Sequence, residues 1–331
     1  MLIVWLKFII CAAAIFFAGS KLTKYGDAIA EKTGLCRVWI GLTLLAVVTS
    51  LPELANAISA TAIVKIPDLA VGDILGACMI NMFTLALLDL WQWARGQQSI
   101  FLAAKESNLL SALFGAAMLL FVAVALGLSR FYFDASVFGV SVYTIIIIIA
   151  YFLLQKLLFD HSKDTALFEP EEKYLHLSNS QTYLYFLLAA AIVIAAGSWL
   201  PFIGNEIVSV MGWGKTFVAV LFLGLATTLP EATVSISALR LGHLGMSIGN
   251  LVGSNIFNIA ILFVADIFYQ PASLLPAASF NMIYAALFGA LFLGIAFLAM
   301  KRRVQSRLPS LTIFFLYLLA LFFLFRAGVL S

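Results

Sequence analysis

The chain has 331 residues, of which 63% are hydrophobic and only 11% charged, and its mean hydropathy is +1.08. Soluble domains carry about 25% charged residues, so this balance excludes a soluble domain with one anchor and predicts an all-α polytopic membrane protein. The net charge of +3 is small and unevenly placed, and it gives no reason to expect nucleic-acid binding.

The first apolar run, residues 2–19, has no basic leader and no clear cleavage site, so it is expected to stay as a membrane helix. Runs over 38–60, 68–93, 106–128 and 136–158 follow. After a polar stretch over 159–182 come runs over 183–200, 216–239, 246–268, 277–300 and 309–329. Each is long enough to span a bilayer, which predicts ten transmembrane helices. The chain then divides into 1–160, a connecting loop over 161–182, and 183–331. That loop is too short and polar for a folded regulatory domain.

With ten spans both termini face one side. Only Lys7, Lys65, Arg130, Lys215 and Arg326 fall on that side, and the other 14 Lys and Arg fall on the opposite one. Basic residues gather on the cytoplasmic side. The expectation is therefore extracytoplasmic termini and a cytoplasmic 159–182 loop, and the short loops and simple layout suggest a prokaryotic inner (cell) membrane. Cys11, Cys36 and Cys78 have no metal-ligand spacing and read as small hydrophobes. His161, His176 and His243 fall in predicted loops and look solvated, which argues against a histidine metal site.

The chain repeats itself. TSLPELANAISA, Thr49 to Ala60, returns as TTLPEATVSISA, Thr227 to Ala238. The likeness extends back to Gly34 and Gly212, with Thr49, Pro52 and Glu53 each recurring 178 positions later. Downstream, GDILGACMIN, Gly72 to Asn81, aligns on GNLVGSNIFN, Gly249 to Asn258, at an offset of 177. Asp89 and Asp266 match at the same offset. Five helices precede the connecting loop and five follow it. An odd number per copy inserts the copies with opposite orientation, the inverted-repeat plan of many secondary transporters, whose site lies at the midplane on discontinuous helices.

The motif itself is costly. A carboxylate at the bilayer centre costs about 2.5–3.5 kcal/mol on insertion scales, and a proline inside a helix about 3 kcal/mol. Both costs recur at Pro52-Glu53 and Pro230-Glu231, which points to a bound cation. Pro52 removes the helical partner of the Val48 carbonyl, and Pro230 that of Ala226. Thr49 and Glu53 share a helix face, as do Thr227 and Glu231, and Ser50 and Thr228 add hydroxyls. Two carboxylates, hydroxyls and water suit Ca²⁺, which takes 6–8 oxygen ligands, and Na⁺ uses the same kind of ligand. The motifs offer no thiolate or imidazole, against zinc or copper. Gly72/Gly76 and Gly249/Gly253 are small-residue pairs for close helix approach. Asn81, Ser254 and Asn258 can add oxygens. Asp89 and Asp266 read as solvated helix ends or as acidic entrances for cations. Asp73 reads as an extra site carboxylate or a surface-turn residue.

At these residues the chain resembles the sodium/calcium exchanger membrane region family of the calcium/cation antiporter superfamily. That family carries a G-T-S-L-P-E-like and a G-N-x-x-G-S-N-x-x-N-like motif in each of two inverted five-helix repeats. The resemblance covers both repeats. It implies an antiporter in which Glu53 and Glu231 ligate Ca²⁺ and in which Thr49, Ser50, Thr227 and Thr228 serve Ca²⁺ or Na⁺. It implies further oxygens from Asn81, Ser254 and Asn258, and Na⁺-binding carbonyls at Ala46 and Gly224. It also implies that the first and sixth helices slide on the rest of the bundle. The first repeat departs from the pattern: Asp73 stands for asparagine, Ala77 for serine and Cys78 for the next asparagine, and Val48 for glycine. The coupling ion is therefore Na⁺ or H⁺. A cation channel and a membrane enzyme are the other classes. Channel pores usually come from rings of subunits, and no nucleophile–base pair, zinc motif or cofactor fingerprint is present. The expected partners are Ca²⁺, Na⁺ or H⁺ and the lipid bilayer, with no cofactor and no obligate protein partner.

Overall fold

A computed structural model describes residues 1–33, 45–131, 135–163, 178–270 and 273–330. The chain is almost wholly helical. The helices are α1 (Leu2–Thr33), α2 (Leu45–Thr49), α3 (Leu51–Ala62), α4 (Pro67–Ala94), α5 (Glu106–Phe131), α6 (Val142–Lys163) and α7 (Asn179–Met211), followed by α8 (Lys215–Val218), α9 (Gly224–Thr227), α10 (Leu229–Arg240), α11 (Leu244–Phe268), α12 (Leu274–Ala277), α13 (Met282–Lys301) and α14 (Leu308–Leu330). A π-helical turn, Ala219–Leu223, joins α8 to α9.

Among the described residues, eight helices are long and apolar enough to cross a membrane, and nine if the bent pair Lys215–Thr227 and Leu229–Arg240 counts as one span. The run expected over 38–60 begins on residues 34–44, outside the described residues. Its described part is α2 and α3, parted at Ser50. Most of the connecting loop, 164–177, also lies outside them.

Three expected boundaries differ. The run over 2–19 continues as helix to Thr33. The run over 136–158 starts with a two-stranded hairpin, Ser136–Val137 against Val140–Ser141, and its helix starts at Val142. Phe138 and Gly139 both have positive φ, the backbone of a tight two-residue hairpin turn. The run over 183–200 continues as helix to Met211, through Pro201.

Helices α4 and α11 form the centre: 83% and 67% of their apolar windows are buried, against 28% for α6 and α14. They pack on each other, and α4 also packs on α13 and α14. A Cβ on Gly76 of α4 would lie 2.6 Å from the Val220 Cα, so only glycine lets the π-turn rest there. Helices α1 and α7 lie side by side outside this centre. Each meets one proline motif through a glycine. A Cβ on Gly19 would strike the Pro230 ring, and one on Gly197 would lie 2.8 Å from the Pro52 carbonyl oxygen. Gly19 and Gly197 are themselves 178 positions apart.

Candidate cation site

Both proline motifs are broken helices. The backbone leaves helical geometry at Ser50 (φ −90°, ψ 16°) and at Thr228 (φ −81°, ψ 2°), two residues before each proline. The second break bends the span by 48°. The cause is the missing proline amide, which frees a carbonyl one turn back. Helices α3 and α10 then restart with the proline near the first turn and a glutamate just after it. A carboxylate in a first turn faces the positive end of the helix dipole.

Glu53 and Glu231 are fully buried, and each lies near enough to feel the other's charge, as does Asp73. They are not equivalent. Ser50 Oγ donates a 2.8 Å hydrogen bond to Glu231 Oε1. Neither oxygen of Glu53 has a partner, nor does Glu231 Oε2. Ser254 sits beside the Glu231 carboxylate, yet its Oγ is also unpartnered. Asn81 Oδ1 and both amide atoms of Asn258 are in the same condition. These six acceptor oxygens on α3, α4, α10 and α11 lie buried with no donor, as do Asn56 Oδ1 and Asn250 Oδ1. Each buried polar group without a partner costs about 1–3 kcal/mol. Oxygens of this kind are the ligands a hard cation takes. Among the described residues no three His, Cys, Asp or Glu side chains gather as a metal cluster. An ion here would meet at most two carboxylates, completed by neutral oxygens.

The hydroxyls around the breaks are buried. Thr228 Oγ1 donates back to the Gly224 carbonyl at 2.7 Å, which also accepts the Thr228 amide. Gly224, expected as a Na⁺-binding carbonyl, is therefore engaged within its own turn. Thr227 Oγ1 reaches Asp73 Oδ1 at 3.0 Å and the Leu223 carbonyl at 3.1 Å. Thr49 is buried at the end of α2, and Ala46 lies in the same short helix.

Asp73 is not at a surface turn. It is fully buried in α4, where Asn56 Nδ2 donates to its Oδ2 at 2.7 Å and Thr227 to its Oδ1. Asn250, which aligns with it, donates to the Glu231 carbonyl at 3.1 Å and to Ser235 Oγ at 2.9 Å. Both therefore tie a proline motif to the next helix.

Asp89 and Asp266 are not solvated helix ends. Asp89 is buried and accepts from Ser99 Oγ at 2.7 Å, the Ile100 amide at 2.8 Å and Ser310 Oγ at 2.5 Å. Asp266 accepts from the Ser141 amide at 2.7 Å, Thr144 Oγ1 at 2.5 Å and the Leu274 amide at 2.7 Å. Each carboxylate accepts three hydrogen bonds, one or more from the chain just after its helix and the rest from a distant segment, so both oxygens of each are engaged in structure. Sequence reasoning placed them by distance along the helix and did not foresee the segment folding back.

Two residues were missed. Asn56 holds Asp73, and Asn255 accepts from Asn81 Nδ2 at 2.9 Å and donates to the Cys78 carbonyl at 3.2 Å. Cys78 Sγ reaches the Asn255 carbonyl at 3.6 Å. Asn255 is the residue that aligns with Cys78, so the repeat offset was the signal. Cys11 and Cys78 are buried free thiols, and His243 is exposed. Cys36, His161 and His176 lie where no side chain is described.

The family model described as sodium/calcium exchanger protein matches residues 3–159 and 181–326. The chain belongs to that family. Members of it are transporters, not enzymes, and this member is an integral membrane protein. Its fold is that of a solved structure of the H⁺/Ca²⁺ exchanger CAX, with a TM-score of 0.78 at 14% identity over 99% of this chain and 86% of that one. It also matches the sodium-calcium exchanger NCX_Mj, with a TM-score of 0.61 at 18% identity over 97% of this chain and 98% of that one. The sodium/calcium exchanger MaX1 of Methanosarcina acetivorans is 37% identical over 86 residues, 25% of this chain. The chain covers 28% and 24% of two curated relatives it matches.

Proposed function

We propose that this exchanger is a secondary antiporter that moves Ca²⁺ against Na⁺ by alternating access. Ca²⁺ is held between Glu53 and Glu231 as cargo. The observation that carries the reading is the pair of buried glutamates on broken helices, one with both oxygens unpartnered and the other with one. Thr49, Ser50, Thr227, Thr228, Asn81, Ser254 and Asn258 supply the neutral oxygens, and the carbonyls of Ala46 and Gly224 serve Na⁺ once their turns open. Sharing of ligands makes joint occupancy by Ca²⁺ and Na⁺ unfavourable through like-charge repulsion, so entry of one expels the other.

The reading takes ten helices in two inverted repeats, 1–160 and 183–331. It is supported by the sequence repeat and by the two glycine–proline contacts at matching positions. The termini are extracytoplasmic, as the basic residues suggest, in a prokaryotic inner membrane, as the short loops suggest. Exchange of Ca²⁺ for H⁺ is the second reading. It is favoured by one departure: the first repeat loses a hydroxyl at Ala77 and gains the buried carboxylate of Asp73.

Radiolabelled Ca²⁺ uptake into proteoliposomes tests both. Uptake is expected to need internal Na⁺ and to vanish in Glu53→Gln, with the variant still inserted. Uptake driven by a pH gradient alone selects H⁺ instead. Normal exchange in Glu53→Gln removes the glutamate from the site.

A further inference from the structure

A cavity of about 260 Å³ opens where α4 and α10 end and α11 begins, lined among others by Trp91, Gln92, Arg95, Gln97, Leu239 and Arg240. It is separate from the cation site. The guanidinium of Arg95 lies 4.3 Å from the centre of the Trp91 ring, and that of Arg240 lies 5.8 Å from the same ring. Stacking of this kind fixes a guanidinium plane and leaves its N–H fork free. No acidic side chain lines the cavity. Among the described residues no ion pair is made by Arg95 or Arg240, so no carboxylate neutralises either guanidinium there. Two cations gathered at one indole with no carboxylate in the cavity lining favour an anion there.

The ends of α4 and α10 also carry carbonyls, which disfavour an anion. Those nearest the cavity are already used. The Gln92 carbonyl accepts the amides of Arg95 and Gln97, Trp93 that of Gly96, Leu239 that of Gly242, and Ala238 that of His243. The guanidiniums therefore dominate. Arg307 stacks on Trp93 at 5.5 Å at the same end of α4. Tryptophans and arginines together mark the level of lipid headgroups.

We infer that this cavity is an anion site, in which Arg95 and Arg240 clamp one phosphate-class oxyanion over Trp91 and so tie α4 to α10. Paired guanidiniums match phosphate geometry. The oxyanion is a lipid headgroup or free phosphate.

The test uses the purified full-length protein. In one arm inorganic phosphate is titrated in detergent against chloride of equal ionic strength. In the other, the protein is reconstituted in phosphatidylcholine vesicles with and without phosphatidylglycerol. The apparent Tm is expected to rise by roughly 2–5 °C in at least one arm. A rise in the vesicle arm alone assigns the headgroup, and a rise with inorganic phosphate assigns the free anion. The rise is expected to be lost in Arg95→Gln/Arg240→Gln and kept in Arg302→Gln. Gln97→Glu, an exposed substitution that puts a carboxylate into the cavity, is expected to weaken the effect about tenfold without loading the core. No rise in either arm, or a rise that the double variant or Gln97→Glu keeps in full, overturns the site. Neither result bears on Ca²⁺ transport, which is measured separately.

Discussion

Ser50 of the first proline motif donates its hydroxyl to Glu231 of the second at 2.8 Å, and the matching bond is not made. Thr228, which aligns with Ser50, turns back to the Gly224 carbonyl, and Glu53 is left without a partner. Two motifs nearly alike in sequence thus hold their carboxylates differently: Glu231 accepts a hydroxyl from the other motif, and Glu53 accepts none from Thr228. A hydrogen bond to a charged group contributes about 1.5–3 kcal/mol. Ser50→Ala is therefore expected to raise the apparent KM for Ca²⁺ about tenfold or more. Thr228→Ala is expected to shift it less, since it removes one neutral oxygen and leaves the hydrogen bonds of both carboxylates unchanged. Equal effects on initial uptake rates would remove the asymmetry.

The glycine contacts give a second prediction. Gly197 faces the Pro52 carbonyl and Gly19 the Pro230 ring. A methyl group at 197 meets backbone, which cannot rotate away. Overpacking of this kind costs about 1–3 kcal/mol. Gly197→Ala is expected to lower the apparent Tm and to cut the transport rate more than the Ca²⁺ affinity, because α7 loses its close fit on α3. Gly19→Ala meets a ring that can shift a little and is expected to cost less. A greater loss in Gly19→Ala than in Gly197→Ala would contradict this order.

Most of the site was legible because its chemistry is expensive. Pro52-Glu53 and Pro230-Glu231 stand out in an apolar chain, and their recurrence at one offset marks them as a pair. Helix breaks at Ser50 and Thr228 follow from the same prolines. Asp89 and Asp266 were not legible. Their partners, Ser310 and Leu274 among them, come from segments whose return path depends on tertiary packing. Asn56 was missed because an asparagine beside a stronger motif carries no periodic signal of its own. Its importance comes only from Asp73, 17 residues away. The hairpin at 136–141 was hidden inside an apolar run, since Phe138 with positive φ is a conformation its side chain does not advertise.

The two clamps supply a third prediction. Asp89→Ala strands Ser99, Ile100 and Ser310, and Asp266→Ala strands Ser141, Thr144 and Leu274. Breaking a buried polar network costs several kcal/mol, so each variant is expected to lose about 5 °C or more of apparent Tm. The folded fraction is expected to keep its Ca²⁺ affinity, because both carboxylates are engaged in structural hydrogen bonds. A rise in KM at unchanged stability would restore them as entrances.

Asp73 gives the last prediction, and it turns on charge. Two donors, Asn56 Nδ2 and Thr227 Oγ1, fix both of its oxygens close enough to Glu53 for mutual repulsion. Its field reaches any ion held by the glutamates. A divalent ion feels that field twice as strongly as a monovalent one at the same distance. Asp73→Asn keeps the shape and removes the charge, and asparagine is what stands at the aligned position 250. The variant is expected to lower the apparent Ca²⁺ affinity about tenfold or more. The loss in Na⁺ affinity should be only about the square root of that factor, so Ca²⁺ loses ground in competition with Na⁺. Ala77→Ser, which restores a hydroxyl on the same helix, is expected to strengthen Na⁺ competition without touching the carboxylates. Paired competition curves in proteoliposomes measure both. An equal loss for the two ions in Asp73→Asn would mean that Asp73 acts by holding Thr227 in place rather than through its charge.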